Sequence, residues 1–176
     1  MRQSHDYKSP LAAMFWSAVL PGFGQLYNKE YMIGFVLIGL EFLINSQAKL
    51  NLAIVYSFHG DFKQAHDIIN YQWGMFYPSF YCFSLWQAYN HAKSHQLKLN
   101  EIRQTRTYLS GLFLGLAIGM NFGLYWHHLR FLSNHFLDMP VFNGITFGLL
   151  GAWFGNFLEN RVYRKRKTRI NDQKRI

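Results

Sequence analysis

Acidic side chains are scarce in this chain. Nine Asp and Glu stand against 18 Lys and Arg, and only Glu41 falls inside a long apolar stretch. Cysteine is scarcer still. The single thiol, Cys82, excludes an internal disulfide and any Cys-pair metal site, and its apolar surroundings read as packing. The groups that catalysis needs are missing as sets. The sequence has no phosphate-cradling glycine loop, no HExxH motif and no pair of neighbouring carboxylates, and each of those chemistries needs its residues at close, fixed spacing. Ser17 and Ser84 sit in apolar runs without a base nearby in sequence. The chain is therefore expected to be non-enzymatic, with no cofactor and no metal.

What is abundant is apolar and aromatic. Half of the 176 residues are hydrophobic and 19% are Phe, Trp or Tyr, more than a soluble domain usually carries. Mean hydropathy is nevertheless near zero, because Lys and Arg are gathered into residues 93–106 and 161–175. Five apolar segments cover residues 11–27, 31–46, 71–89, 108–126 and 140–158. The last three approach the ~20 residues that a helix needs to cross hydrocarbon. The pattern predicts an all-α, multi-pass integral membrane helical bundle of four to five transmembrane segments. Residues 1–160 form the transmembrane helical domain and residues 161–176 a basic cytoplasmic tail. No small-residue cleavage site follows the first apolar run, so it reads as a retained anchor rather than a signal peptide.

That first run is interrupted by Leu20-Pro21-Gly22-Phe23-Gly24, and only Asn28, Lys29 and Glu30 separate it from the second. In a bilayer, backbone groups freed by such a break must find partners inside the protein. The segment either spans and turns tightly, or enters, breaks and returns. Loop charge bears on the choice. Residues 161–176 carry eight basic residues against Asp172, and residues 90–107 carry four against Glu101, whereas residues 47–70 and 127–139 are balanced. The positive-inside rule puts the tail and the 90–107 loop in the cytoplasm. A re-entrant first segment keeps Arg2 and Lys8 on that side too, and is favoured. Beyond residue 46, either one tilted helix runs from residue 31 to about 56, or a span is followed by an interfacial piece. Asp61 is expected to cap a short amphipathic helix whose Phe62, Ala65 and Ile69 share a face.

Several features invite a functional reading. Gly111, Gly115, Gly119 and Gly123 line one helix face; Gly144, Gly148, Gly151 and Gly155 line another. Small residues at this spacing let two helices approach closely, within one molecule first, or against a second copy or a partner's helix. Glu41, Asn45 and Lys49 recur every four residues, a polar stripe suited to proton or cation transport, with Gln25 and Asn121 as candidate neighbours. His91 and His95 share a face, while His59, His66, His127, His128 and His135 fall in loops. Without Cys or acidic companions they argue weakly for metal or haem. Nine aromatics between residues 71 and 89, Trp73 and Trp86 among them, read as an interfacial belt plus packing. Arg164, Lys165, Arg166 and Lys167 follow the last segment directly and suit anionic lipid headgroups better than nucleic acid.

The run Leu20-Pro21-Gly22-Phe23-Gly24-Gln25-Leu26-Tyr27, followed by Gly34, resembles the bacterial branch of the two-transmembrane-segment domain family, with its LPGxGxxYxG-like signature. The likeness covers residues 11–45. It departs at Asn28-Lys29, where a glycine often follows the Tyr, and at Gln25, where some branches have His. The resemblance implies two close-packed membrane segments with Pro21, Gly22, Gly24, Gln25, Tyr27 and Gly34 as a shared structural site, and no catalytic residue. The resulting expectation is an accessory or scaffold protein that packs with itself or another membrane protein in the lipid bilayer. A small transporter or channel built on Glu41, and a haem or metal-binding subunit, are the alternatives.

Overall fold

The computed structural model describes residues 8–102, 106–126 and 139–173, with side chains of the last helix as far as Lys165. His127, His128 and His135 lie outside the described residues, as do the side chains of Arg166 and Lys167. Every regular element among the described residues is a helix, in keeping with the all-α expectation.

The first apolar segment is not one helix. α1 (Pro10–Val19) opens with Pro10 in its first turn and with Ser9 accepting a hydrogen bond from the Ala12 N–H. It stops at Leu20, whose backbone is extended, because Pro21 has no N–H to continue the ladder. Gly22 then takes φ +107, a conformation other residues rarely adopt, and α2 (Phe23–Tyr27) follows. α2 folds back on α1: a Cβ at Gly24 would fall on the Ala13 carbonyl and the Ser17 hydroxyl. The two ends of this hairpin meet, since Lys8 Nζ donates to the Asn28 carbonyl and the Ser9 N–H to Tyr27 Oη.

α3 (Tyr31–Ala48) does not continue to residue 56. Lys49 adopts φ +56, and α4 (Leu50–Phe58) begins immediately. Asn45 holds this break, its Oδ1 accepting from the Asn51 N–H at 3.1 Å. α5 (Phe62–Ile68) is capped by Asp61, which accepts from the Gln64 N–H, and buries Ala65. The third apolar segment is also divided: α6 (Tyr71–Gly74) is a single turn, and α7 (Tyr77–Leu99) starts at Pro78 and runs well past residue 89. α8 (Ser110–Tyr125) and α9 (Pro140–Gln173) complete the chain, α9 passing unbroken through residue 161 into the basic stretch. Two helical stretches, Tyr31–Ala48 and Pro140–Lys165, are long and apolar enough to cross a membrane; α1 and α8 are apolar but shorter.

α7 is the central post. Its small residues Ala88 and Ala92 take up Ala13 of α1 and Tyr27 of α2, while Cys82 and Leu85 pack against Phe113 and Ala117 of α8. Asn90 fixes the chain's return: its amide donates to the Tyr108 carbonyl and accepts from the Tyr108 N–H, at 2.9 and 2.7 Å. Many large apolar side chains lie on the exterior. Met32 is 85% exposed, and Val19 and Trp153 are 71% exposed.

Candidate functional site

Two polar constellations lie inside this shell. The larger is centred on Gln25, which is fully buried. An amide side chain has two donors and two acceptor lone pairs, and here all four are used. Nε2 donates to the Ser84 carbonyl at 2.9 Å and to Gln87 Oε1 at 2.8 Å; Oε1 accepts from the Ser17 and Ser84 hydroxyls at 3.2 and 3.4 Å. The Ser84 hydroxyl also takes the N–H of Gly22, one of the groups released by the helix break. Asn28 Nδ2 donates to the Ala88 carbonyl at 2.8 Å.

A carboxylate sets the direction of the chain of amides. Glu30 accepts from Gln87 Nε2 through both oxygens at 3.0 Å, and pairs with His91. An ionised carboxylate only accepts, so Gln87 turns its NH₂ toward Glu30 and its oxygen toward Gln25. Ser84, Gln87, Ala88 and His91 are spaced three, one and three apart, one face of α7. Ser84 and Gln87 meet Gln25, Ala88 meets Asn28, and Gln87 and His91 meet Glu30. The broken motif is thus docked on α7 by side chains rather than by backbone alone.

Pro21, Gly22, Gly24, Gln25, Tyr27 and Gly34 all belong to this junction. Beyond Gly24's place against α1, the Gly22 carbonyl lies against Gly34, where Leu26 also packs, so a Cβ at either glycine would collide. Gln25 is engaged here and not with Glu41. Ser17 and Ser84, without a base in sequence, are its partners; Asn28, Glu30 and Gln87, which sequence reading missed, complete the set together with His91, weighed in the sequence for metal or haem and here paired with Glu30. The signal was the polar spacing of Ser84, Gln87 and His91, three and four apart on one face of α7.

The second constellation surrounds Glu41, which is 5% exposed. Its Oε1 accepts from Tyr77 Oη at 3.2 Å and from Asn45 Nδ2 at 3.5 Å. Its Oε2 is buried without a hydrogen-bond partner. Glu41, Asn45 and Lys49 line one cavity of about 400 Å³ with Leu20, Phe42 and Asn51. Asn121 sits on α8, its Oδ1 buried and unpartnered.

The glycine rows of α8 and α9 face each other. A Cβ at Gly111 would fall on the Gly155 carbonyl, at Gly115 on Gly151, at Gly119 on Phe147 and at Gly123 on Asn143. Gly144 and Gly148 receive Leu124 and Met120 instead. Glu159 of α9 accepts from the Gly111 N–H at 2.7 Å, capping a helix start that its own residues leave uncapped and placing negative charge at the positive end of α8. On one flank of this seam runs an open apolar groove of about 850 Å³ lined by Leu114, Ile118, Leu150 and Phe154, with Arg106 at one end. Arg106 lies over the rings of Tyr108 and Tyr163. Arg164 and Lys165 continue α9 beyond it. No group of three His, Cys, Asp or Glu able to hold a metal occurs among the described residues.

These features define an all-helical chain organised around a buried glutamine at a helix break. The chain belongs to the family of unknown function DUF5683, whose model matches residues 6–108. No curated protein matches the chain, and no solved structure does. The matched stretch holds α1–α7 with the complete Gln25 network and ends before α8.

Proposed function

We propose that the protein is a multi-pass, non-enzymatic membrane scaffold that packs through its α8–α9 hairpin against a helix of a second copy or of another membrane protein. The observation that carries this is the inside-out distribution of polarity. Gln25, Ser17, Ser84 and Glu41 are buried while Phe15, Val19, Met32, Phe35, Leu114 and Trp153 are exposed, and a soluble monomer rarely presents so continuous an apolar surface. α3, α7, α8 and the first part of α9 serve as the spans. The α1–α2 hairpin is the re-entrant element: α1 is about 15 Å long at 1.5 Å per residue, half a hydrocarbon core. The likeness of residues 11–45 to the two-transmembrane-segment domain supports the same close pairing with α3. The chain then belongs in a bacterial-type plasma membrane, with Arg164, Lys165 and their neighbours against anionic headgroups on the cytoplasmic side.

Because the glycine rows are used inside the molecule, a partner helix must take the apolar groove beside them. A photo-crosslinking residue at Ile118 or Leu150, activated in native membranes, is expected to give one discrete protein adduct. Adducts with lipid alone would sink the scaffold reading. A second reading, a small transporter or channel, is favoured by the Glu41 cavity. Solute or proton flux in vesicles unchanged by Glu41→Gln would remove it.

A further inference from the structure

We propose that the Glu41 cavity binds a small zwitterion, with a primary ammonium group held at Glu41 and an anionic group held at Lys49. The inference does not depend on the scaffold reading. A buried carboxylate oxygen without a donor is costly, and Glu41 Oε2 has none. Its Oε1 is already satisfied by Tyr77 and Asn45, so the missing partner is a donor from outside the chain. Asn45 Oδ1, which takes only the Asn51 N–H in the structure, keeps a second lone pair. An ammonium offers three donors and meets both.

The cavity is dipolar. Leu20, the residue that ends α1, lines it beside Glu41, and the carboxyl end of a helix carries partial negative charge. At the other pole stands the exposed Lys49, which closes α3 and precedes α4, so that opposed helix ends meet there and its own ammonium supplies the positive charge. Glu41 and Lys49 are eight residues apart, about 12 Å along a helix at 1.5 Å per residue, yet both line the same space. Asn45, Ser46 and Asn51 add polar lining, and Leu20, Phe42 and Leu52 supply apolar wall for connecting methylenes. At about 400 Å³ the cavity falls in the range of small-molecule sites. A simple cation would leave Lys49 opposed and a simple anion would leave Glu41 opposed; a zwitterion satisfies both.

The ligand is either a free aminophosphate-like solute or the headgroup of an aminophospholipid. Calorimetric titration of the full chain in detergent tests the site and separates the sources. The probes are ethanolamine phosphate, ethanolamine, phosphocholine and dihexanoyl phosphatidylethanolamine. Ethanolamine phosphate or the short-chain lipid is expected to bind at least tenfold more tightly than phosphocholine, whose quaternary nitrogen has no N–H. Glu41→Gln is expected to weaken that binding at least tenfold. Lys49→Gln, a change at an exposed side chain, is expected to reduce the phosphate-bearing ligand to the level of ethanolamine while leaving ethanolamine itself unchanged. Binding of the lipid without the free solute assigns the source to the membrane; equal binding assigns it to solute. The proposal is overturned if no probe binds, if phosphocholine binds equally, or if Lys49→Gln leaves every affinity unchanged. The Lys49 result decides the matter even where Glu41→Gln fails to fold.

Discussion

Gln25 is a fully buried polar residue whose every hydrogen-bonding group is used, and that makes its removal asymmetric. In a low-dielectric interior a complete network stabilises, whereas a partial one strands its members. Gln25→Leu leaves the Ser84 carbonyl and Gln87 Oε1 without their donor, at about 1–3 kcal/mol for each stranded group. Thermal unfolding in detergent is expected to show a corresponding fall in Tm. Adding Gln87→Leu is expected to cost less than the sum of the single changes, because the two residues share one interaction; strict additivity would contradict the network. Pro21 and Gly22 were legible in the sequence because the constraint is local. Gln25 stood out as a polar residue in an apolar motif, but its partners Ser84 and Gln87 lie 59 and 62 positions away and become neighbours only when the hairpin docks on α7.

At the scale of elements, the α8–α9 seam leaves no room for side chains. Gly115→Leu must displace α9, since its Cβ alone would fall on the Gly151 carbonyl. Overpacking of this kind costs about 1–3 kcal/mol or more. The same change at Gly39, where a Cβ meets nothing within 4 Å, is expected to be tolerated. A protease-protection or melting comparison that finds the two variants alike would contradict the seam. The spacing of the glycines showed which faces are small, and the structure shows that these faces meet within one chain. Other element boundaries were hidden. The break after α3 falls at Lys49, a residue with no turn preference, because Asn45 holds the start of α4 by accepting from the Asn51 N–H, six residues on. α7 outruns its apolar segment because Ala92 and Leu97 remain buried within a polar stretch.

For the whole molecule, the contacts of Lys8 with Asn28 and of Glu30 with His91 gather the start of α1, the end of α2, the start of α3 and the second half of α7 at one end. If the protein sits in a bilayer as proposed, residues 8 and 29 face the same compartment. Single cysteines at Lys8 and Lys29, in a Cys82→Ala background, are expected to react with an impermeant maleimide only after the cytoplasmic face is opened. Labelling of Lys8→Cys in intact cells would place the first segment across the membrane and overturn the re-entrant path. Charge counts over the loops pointed to this arrangement, and the hydrogen bonds supply a reason for it that no loop composition carries.

α9 is a single rod of 34 residues, about 51 Å at 1.5 Å per residue, and its apolar part is meshed with α8 backbone to backbone. Such a coupling has no slack and no hinge. A sideways tug on the charged far end therefore acts as a crowbar: the two rods tilt as one piece, and the strain arrives at the Asn90–Tyr108 strap, which ties the approach to α8 onto the middle of α7.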